Sequence, residues 1–295
     1  MSRLMAFLLL WPLAATATSG DWIAVSKAPK GAELSVLRWR YSVTGGLAGS
    51  QAARFEAALP RERHDGWTLV RVQATEAASL ERDPAGNLSL SVAVGSLGAR
   101  ETRLVTVTAE LAATTPTTAA GRVAPGASAL LDLDAAPVRS LAATVSAASP
   151  GQRLDVLWES LRQRLEPEGF RASPRRVKTT LSLGRGDCTD LALVAVAVAR
   201  ASGLPARLAT GWNVDGPGLL GPDAYHDWAE VHDGTRWRAV DLHSRRLDPG
   251  PGTLVATHID DVRSDVLSAF RFRPLTAGLE VQMLESGGTA RGGLR

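Results

Sequence analysis

Cys188 is the single cysteine of a 295-residue chain. A glycine-flanked segment, Gly184-Arg185-Gly186-Asp187, leads into it. A run that is apolar nearly all round follows, with Leu191, Leu193, Val194, Val196 and Val198 padded by alanine. Such a run predicts a centrally buried helix over residues 187–202, stopped by Gly203 and Pro205. A thiol at a helix N-terminus feels the positive end of the helix dipole, which favours the reactive thiolate. The free N–H groups of the first turn can also face an oxyanion. Position alone leaves a buried structural cysteine equally open.

His226 and Asp241 supply the partners a nucleophilic thiol needs. Residues 225–232 and 235–242 read as strands joined by Asp233-Gly234, the strongest hairpin signal in the chain. With a two-residue loop, 232 faces 235 and His226 falls directly opposite Asp241, with Cβ atoms about 4.5–5.5 Å apart. A carboxylate so placed orients an imidazole and stabilises the imidazolium. The imidazole can then take the proton of a nearby thiol. Trp228 and Trp237 fall on the same face and are expected to exclude water from the pair.

The other histidines suggest no metal. His232, His243 and His258 cluster late in the chain near Asp223, Asp227 and Asp260, but their spacings match no zinc pattern such as H-E-x-x-H. His232 and His243 read as loop or hairpin-end residues, His258 as a neighbour of the site, and His64 as an isolated surface residue. Without a nucleotide loop, flavin fingerprint or EF-hand, no cofactor is expected.

Two kinds of element must position these groups. The first half alternates apolar and polar residues, as in Leu37, Trp39, Tyr41 and Val43, and again over 67–72, 88–94 and 103–108. Turn residues such as Asp83-Pro84-Ala85-Gly86-Asn87 punctuate these runs, which predicts an antiparallel β-sandwich-like domain. Residues 112–126, rich in Ala, Thr, Pro and Gly, read as a long loop. Ser149-Pro150 looks like a helix N-cap followed by proline at the first helical position. The next run places Leu154, Leu157, Trp158, Leu161 and Leu165 on one face of an amphipathic helix. The second half mixes helix and strand, so the chain is expected to be α+β. The expected division is a β-rich domain over 20–145, a catalytic domain over 146–270 and a tail over 271–295.

The N-terminus points to export. Arg3, an apolar stretch over residues 4–13 and Ala15-Thr16-Ala17 have the layout of a secretory signal peptide over residues 1–19. The stretch is too short to span a bilayer, and no later segment is long and apolar enough, so no stable membrane span is expected after signal removal. One cysteine cannot form an internal disulfide, and a free thiol in an oxidising compartment is a liability unless buried or used. The formal charge of +3, scattered along the chain, argues against nucleic-acid binding.

Three further motifs accompany the candidate triad: Gly186-Asp187-Cys188-Thr189-Asp190 before an alanine-rich helix, residues 200–207, and Tyr225-His226-Asp227-Trp228-Ala229-Glu230-Val231 with Trp237 and Asp241. Together, over about residues 150–265, they resemble the transglutaminase-like superfamily, most closely its bacterial exported branch. Ala256-Thr257-His258-Ile259 is similar to that branch as well. The resemblance implies a papain-like α+β core with Cys188 as nucleophile, His226 as general base and acid, and Asp241 as orienter. Asp190, Leu191 and Leu242 depart from residues common in the branch, but none is a triad position. The expected activity is periplasmic or secreted thiol-dependent acyl transfer on peptide or protein amides through a Cys thioester, with hydrolysis as the expected outcome. A cross-linking transglutaminase and a non-catalytic envelope interaction module are the alternatives.

Overall fold

Alternation of buried and exposed side chains builds the first half of the chain. The computed structural model describes residues 16–64, 66–115, 128–214, 219–250 and 252–285. Most of the segment expected as a signal peptide and of the loop expected over 112–126 lies outside them. In β1 (Leu34–Thr44), Leu37, Trp39, Tyr41 and Val43 are buried while the residues between them stay partly open. It is joined by β2 (Ser50–Ala58), β3 (Trp67–Ala74), β4 (Ala77–Arg82), β5 (Leu88–Leu97) and β6 (Thr102–Ala113). One sheet runs β4, β5, β2 with Thr16–Ala17 at its edge, and the other runs β1, β6, β3 and Trp22–Ala24. The pairings among β1 to β6 are antiparallel. Trp39, Tyr41, Val105 and Val107 of one sheet share an apolar cluster with Phe55, Leu90 and Val92 of the other. The rings of Tyr41 and Phe55 meet at 5.1 Å. This is the expected sandwich, with one face of each sheet turned inward.

The second half surrounds α4. The helices are α1 (Ala136–Ala147), α2 (Arg153–Arg162), α3 (Val177–Leu183) and α4 (Cys188–Ala201). From Leu191 to Ala199 every residue of α4 is buried, as its all-round apolar sequence requires. α1, which crosses the boundary expected near residue 145, packs its buried Val138, Leu141 and Val145 into the same core as α4. In α2 the buried face is Leu154, Leu157, Trp158 and Leu161. Ser149 does not cap α2: residues 150–152 form a 3₁₀ turn first, and Ser149 turns its hydroxyl to Gln152 at 2.7 Å. Against the helices lies an antiparallel sheet of β7 (Ala206–Asn213), β8 (Tyr225–His232), β9 (Trp237–Asp241) and β10 (Leu254–Asp260), ordered β9, β8, β7, β10 with Arg246–Leu247 outside β9.

The hairpin register differs from the expected one. His232 faces Trp237, and Ala229 faces Val240. The turn is therefore centred one residue later than Asp233-Gly234. The cause is the Asp233 carboxylate, which folds over the turn and accepts from the N–H groups of Thr235 at 2.8 Å and Arg236 at 3.0 Å, an Asx-type bridge. The slip moves pairs by two positions and so keeps every side chain on its expected face.

Residues 271–285, expected as a tail, return to the sandwich. β11 (Phe272–Pro274) pairs with β2, and β12 (Glu280–Met283) pairs with β1. Leu219–Leu220 also pairs with β1. Trp212 of β7 belongs to the sandwich core and meets Trp39 at 5.7 Å.

Candidate active site

The start of α4 is held from several sides. Gly184, at φ +67°, ends α3 in the left-handed conformation suited to glycine. Gly186 then passes so close to α4 that a Cβ there would lie 2.6 Å from Asp190 Cβ. Asp187 is the N-cap: its carboxylate accepts from Asp190 N at 2.9 Å and from Arg171 N at 3.0 Å. Asp190, fully buried, accepts from Arg175 N at 2.7 Å. Burial pushes its carboxyl above the usual range. Cys188 is thereby fixed as the first residue of the helix, partly open to a cleft of about 690 Å³. Phe170, Tyr225, His243 and Phe270 line that cleft with it.

His226 comes from β8, opposite Gly211 of β7. A side chain at Gly211 would collide with β10, since a Cβ would sit 2.1 Å from the Val255 carbonyl oxygen. Asp241 ends β9 and is fully buried. The observed register makes His226 and Asp241 diagonal neighbours rather than direct partners, and on one face a diagonal is still within reach of side chains of this length. His226 Nε2 lies 2.9 Å from Asp241 Oδ1. Ser244 supports the pair, its N–H donating to the same oxygen at 3.0 Å. The indole of Trp228, buried, stacks on the imidazole at 6.4 Å between centroids.

Cys188 and His226 line the same cleft, and the thiol is near enough to favour the charged imidazole. With Nε2 given to Asp241, Nδ1 is the nitrogen left to receive the thiol proton. Burial opposes charge on His226, but hydrogen bonds and charge from Asp241 and Cys188 outweigh it and push the pKa from 6.5 up to about 10. Burial alone would raise Asp241, yet His226 and Ser244 hold its carboxyl below the usual range.

Asp227, the residue after His226, adds a clamp that the sequence reading did not find. Its carboxylate accepts from the hydroxyls of Thr189, in the first turn of α4, and Thr210, on β7. It ties the helix carrying the thiol to the sheet carrying the imidazole. Burial pushes its carboxyl upward. The signal for it was its place between His226 and Trp228, pointing to the opposite face from both.

The remaining expected residues disperse. Trp237 lies at the far end of the hairpin, against His232 at 5.4 Å and beneath Arg207 at 3.9 Å, so it does not shield the pair. His64 is not an isolated surface residue: it reaches Glu230 at 2.6 Å. His258 packs on Phe270 at 5.0 Å, in a neighbouring polar cleft. His243 stands in the main cleft, 5.6 Å from the His226 ring. Among the described residues, no group of three or more His, Cys, Asp or Glu side chains is arranged to hold a metal ion.

An antiparallel sheet wrapped on a buried helix, with Cys at the helix start and a His–Asp pair on adjacent strands, defines the class. Residues 139–242 match the family model of the transglutaminase-like superfamily, and the chain carries a transglutaminase-like core. Among solved structures, a protein from Cytophaga hutchinsonii provisionally called a cysteine protease is 15% identical, with a TM-score of 0.54 over 89% of this chain and 96% of that one. The periplasmic domain of TgpA from Pseudomonas aeruginosa is 17% identical over 78% of this chain and 95% of its own, with a TM-score of 0.33. The first of these likenesses speaks for the fold across both halves of the chain. No curated protein sequence matches significantly.

Proposed function

We propose that the chain is an exported thiol-dependent acyl-transfer enzyme that hydrolyses peptide or protein amides, with Cys188, His226 and Asp241 as its triad. The observation that carries this reading is the 2.9 Å His226–Asp241 pair beside a helix-borne thiol in an open cleft. The Cys188 sulfur attacks the amide carbon, and the His226 imidazolium gives its proton to the leaving amine as the C–N bond breaks. The thioester no longer offers His226 a negative sulfur. One of the two groups that raise the imidazole pKa is then lost, and His226 is left neutral to act as base on water. N–H groups of the first turn of α4 face the developing oxyanion. The apolar rim of Phe170 and Phe270 suits a polypeptide chain laid across the cleft.

Two measurements test the proposal. Iodoacetamide should alkylate Cys188 faster than free cysteine near neutral pH; a rate no greater than in the denatured chain would instead favour a binding module. A peptide mixture containing glutamine and a labelled amine should then yield hydrolysis. Amine incorporation without hydrolysis would replace the peptidase reading by the cross-linking one. Export is supported by the N-terminal sequence, and the mass of the mature N-terminus recovered outside the cytoplasm checks it.

A further inference from the structure

Two imidazoles share the cleft. The His243 ring is half-buried, its centroid 5.6 Å from that of His226 and its plane inclined by 56°. His243 Nε2 lies 3.2 Å from the backbone carbonyl oxygen of Glu168. A carbonyl oxygen can only accept, so Nε2 carries a proton, and in the neutral ring Nδ1 is left as a lone-pair acceptor. The turn behind the ring is braced. Ser244 N–H is bonded to Asp241, while Arg245 reaches the Arg162 carbonyl at 2.6 Å and the Glu166 carboxylate at 2.7 Å. Acylation, as set out above, uses Cys188, His226 and Asp241 and leaves this second ring without a part.

We propose that His243 is a further catalytic residue: its Nδ1 accepts a hydrogen bond from the nucleophile that resolves the acyl-enzyme and so presents that nucleophile to His226. The proposal rests on the triad reading. In this step the water oxygen bonds to the thioester carbon. One water proton passes to His226, and the other stays on oxygen, hydrogen-bonded to His243. Collapse breaks the C–S bond, and the electron pair returns to the Cys188 sulfur, which re-forms its pair with the His226 imidazolium. His243 neither gains nor loses a proton. Two acceptors of one water lie about 4.5 Å apart at ordinary hydrogen-bond lengths, a span that rings at this separation can meet. A nucleophile held this way needs two protons on its attacking atom. Water and primary amines qualify; secondary amines and alcohols do not.

The test uses p-nitrophenyl acetate, whose chromophore is released on acylation, with the full-length protein. His243→Gln keeps an amide N–H where Nε2–H meets the Glu168 carbonyl but has no acceptor at the Nδ1 position. Its acylation burst should match the wild type, while steady-state turnover falls about tenfold, the loss of one hydrogen bond in the transition state. His243→Asn, which can place its amide oxygen near the Nδ1 position, should turn over faster than His243→Gln. Methylamine should accelerate wild-type turnover more than dimethylamine, and His243→Gln should lose that preference. Unchanged turnover in His243→Gln, or a burst slowed as much as turnover, would overturn the role of His243. A wild type that forms no acetyl adduct on Cys188 would instead overturn the triad.

Discussion

Asp241 is the residue on which the proposed chemistry leans most. It is fully buried, and the oxygen facing His226 also takes the Ser244 N–H. Asp241→Asn keeps the shape but removes the charge that holds the imidazole protonated and in one tautomer. Alkylation of Cys188 near pH 7 should fall by at least about tenfold, with an unchanged far-UV circular dichroism spectrum. Stability should respond with a definite sign. The fold binds the His226 proton more tightly than the unfolded chain does, its pKa being about 10 against 6.5. The resulting stabilisation is complete below the unfolded value and is lost as pH rises toward the folded one. Urea midpoints of the wild type and Asp241→Asn should therefore differ most at mildly acid pH and converge in the alkaline range. A gap that widened with rising pH would mean that His226 is neutral in the fold.

At the scale of elements, Gly186 shows how much of the proposed site's geometry is set by backbone approach. It lies against Asp190 and Thr180, the latter's methyl 3.1 Å from where a Cβ would sit. Neither neighbour is free to withdraw, because Asp190 is bonded to Arg175 and Thr180 is fully buried. Gly186→Ala should cost about 1–3 kcal/mol as an overpacked site and, by shifting the Asp187 cap, should slow alkylation of Cys188. A variant as stable and as reactive as the wild type would show that the helix start has slack. The helix itself was legible, because an all-round apolar run has few places to go. The hairpin was legible in its faces but not its register, since hydrophobic alternation is blind to a slip of two. Only the Asp233 side chain, bonding across its own turn, decides where the reversal is centred. That slip sends Trp237 away from the site while leaving His226 and Asp241 within reach of one another. β2 escaped notice for another reason: much of it is alanine, and Phe55 to Ala58 is buried on both faces, so it lacks alternation.

The whole molecule is joined by contacts that span long stretches of sequence, and these were the least legible. β11 and β12 are too short to show a period, and only their partners over 200 residues away define them. Two buried groups near the junction give acid sensitivity in separate windows. Glu230 of β8 is 2% exposed and takes His64 from the sandwich at 2.6 Å and Arg207 from β7 at 2.7 Å. Burial would raise its carboxyl, but His64 and Arg207 hold it well below the usual range. Its stabilisation is therefore present above the ordinary glutamate value and lost as pH falls beneath it. His258 behaves differently. Burial, with Arg61 nearby, outweighs Asp83, Asp260 and Glu56 and lowers its pKa from 6.5 to about 4. The unfolded chain takes up this proton first, so stability should decline as pH falls across that interval and level off below it. His258→Asn, able to keep the contact that Nδ1 makes with Thr257 Oγ1 at 3.1 Å, should flatten the decline between about pH 6.5 and 4 without changing the loss below it. Glu230→Gln should lower stability by about 3–5 kcal/mol at neutral pH, because the Arg207 guanidinium loses its buried carboxylate partner, and should remove part of the loss at lower pH. If His258→Asn left the upper window as steep as before, the buried imidazole would not be its source, and the decline would have to come from carboxylates at the junction.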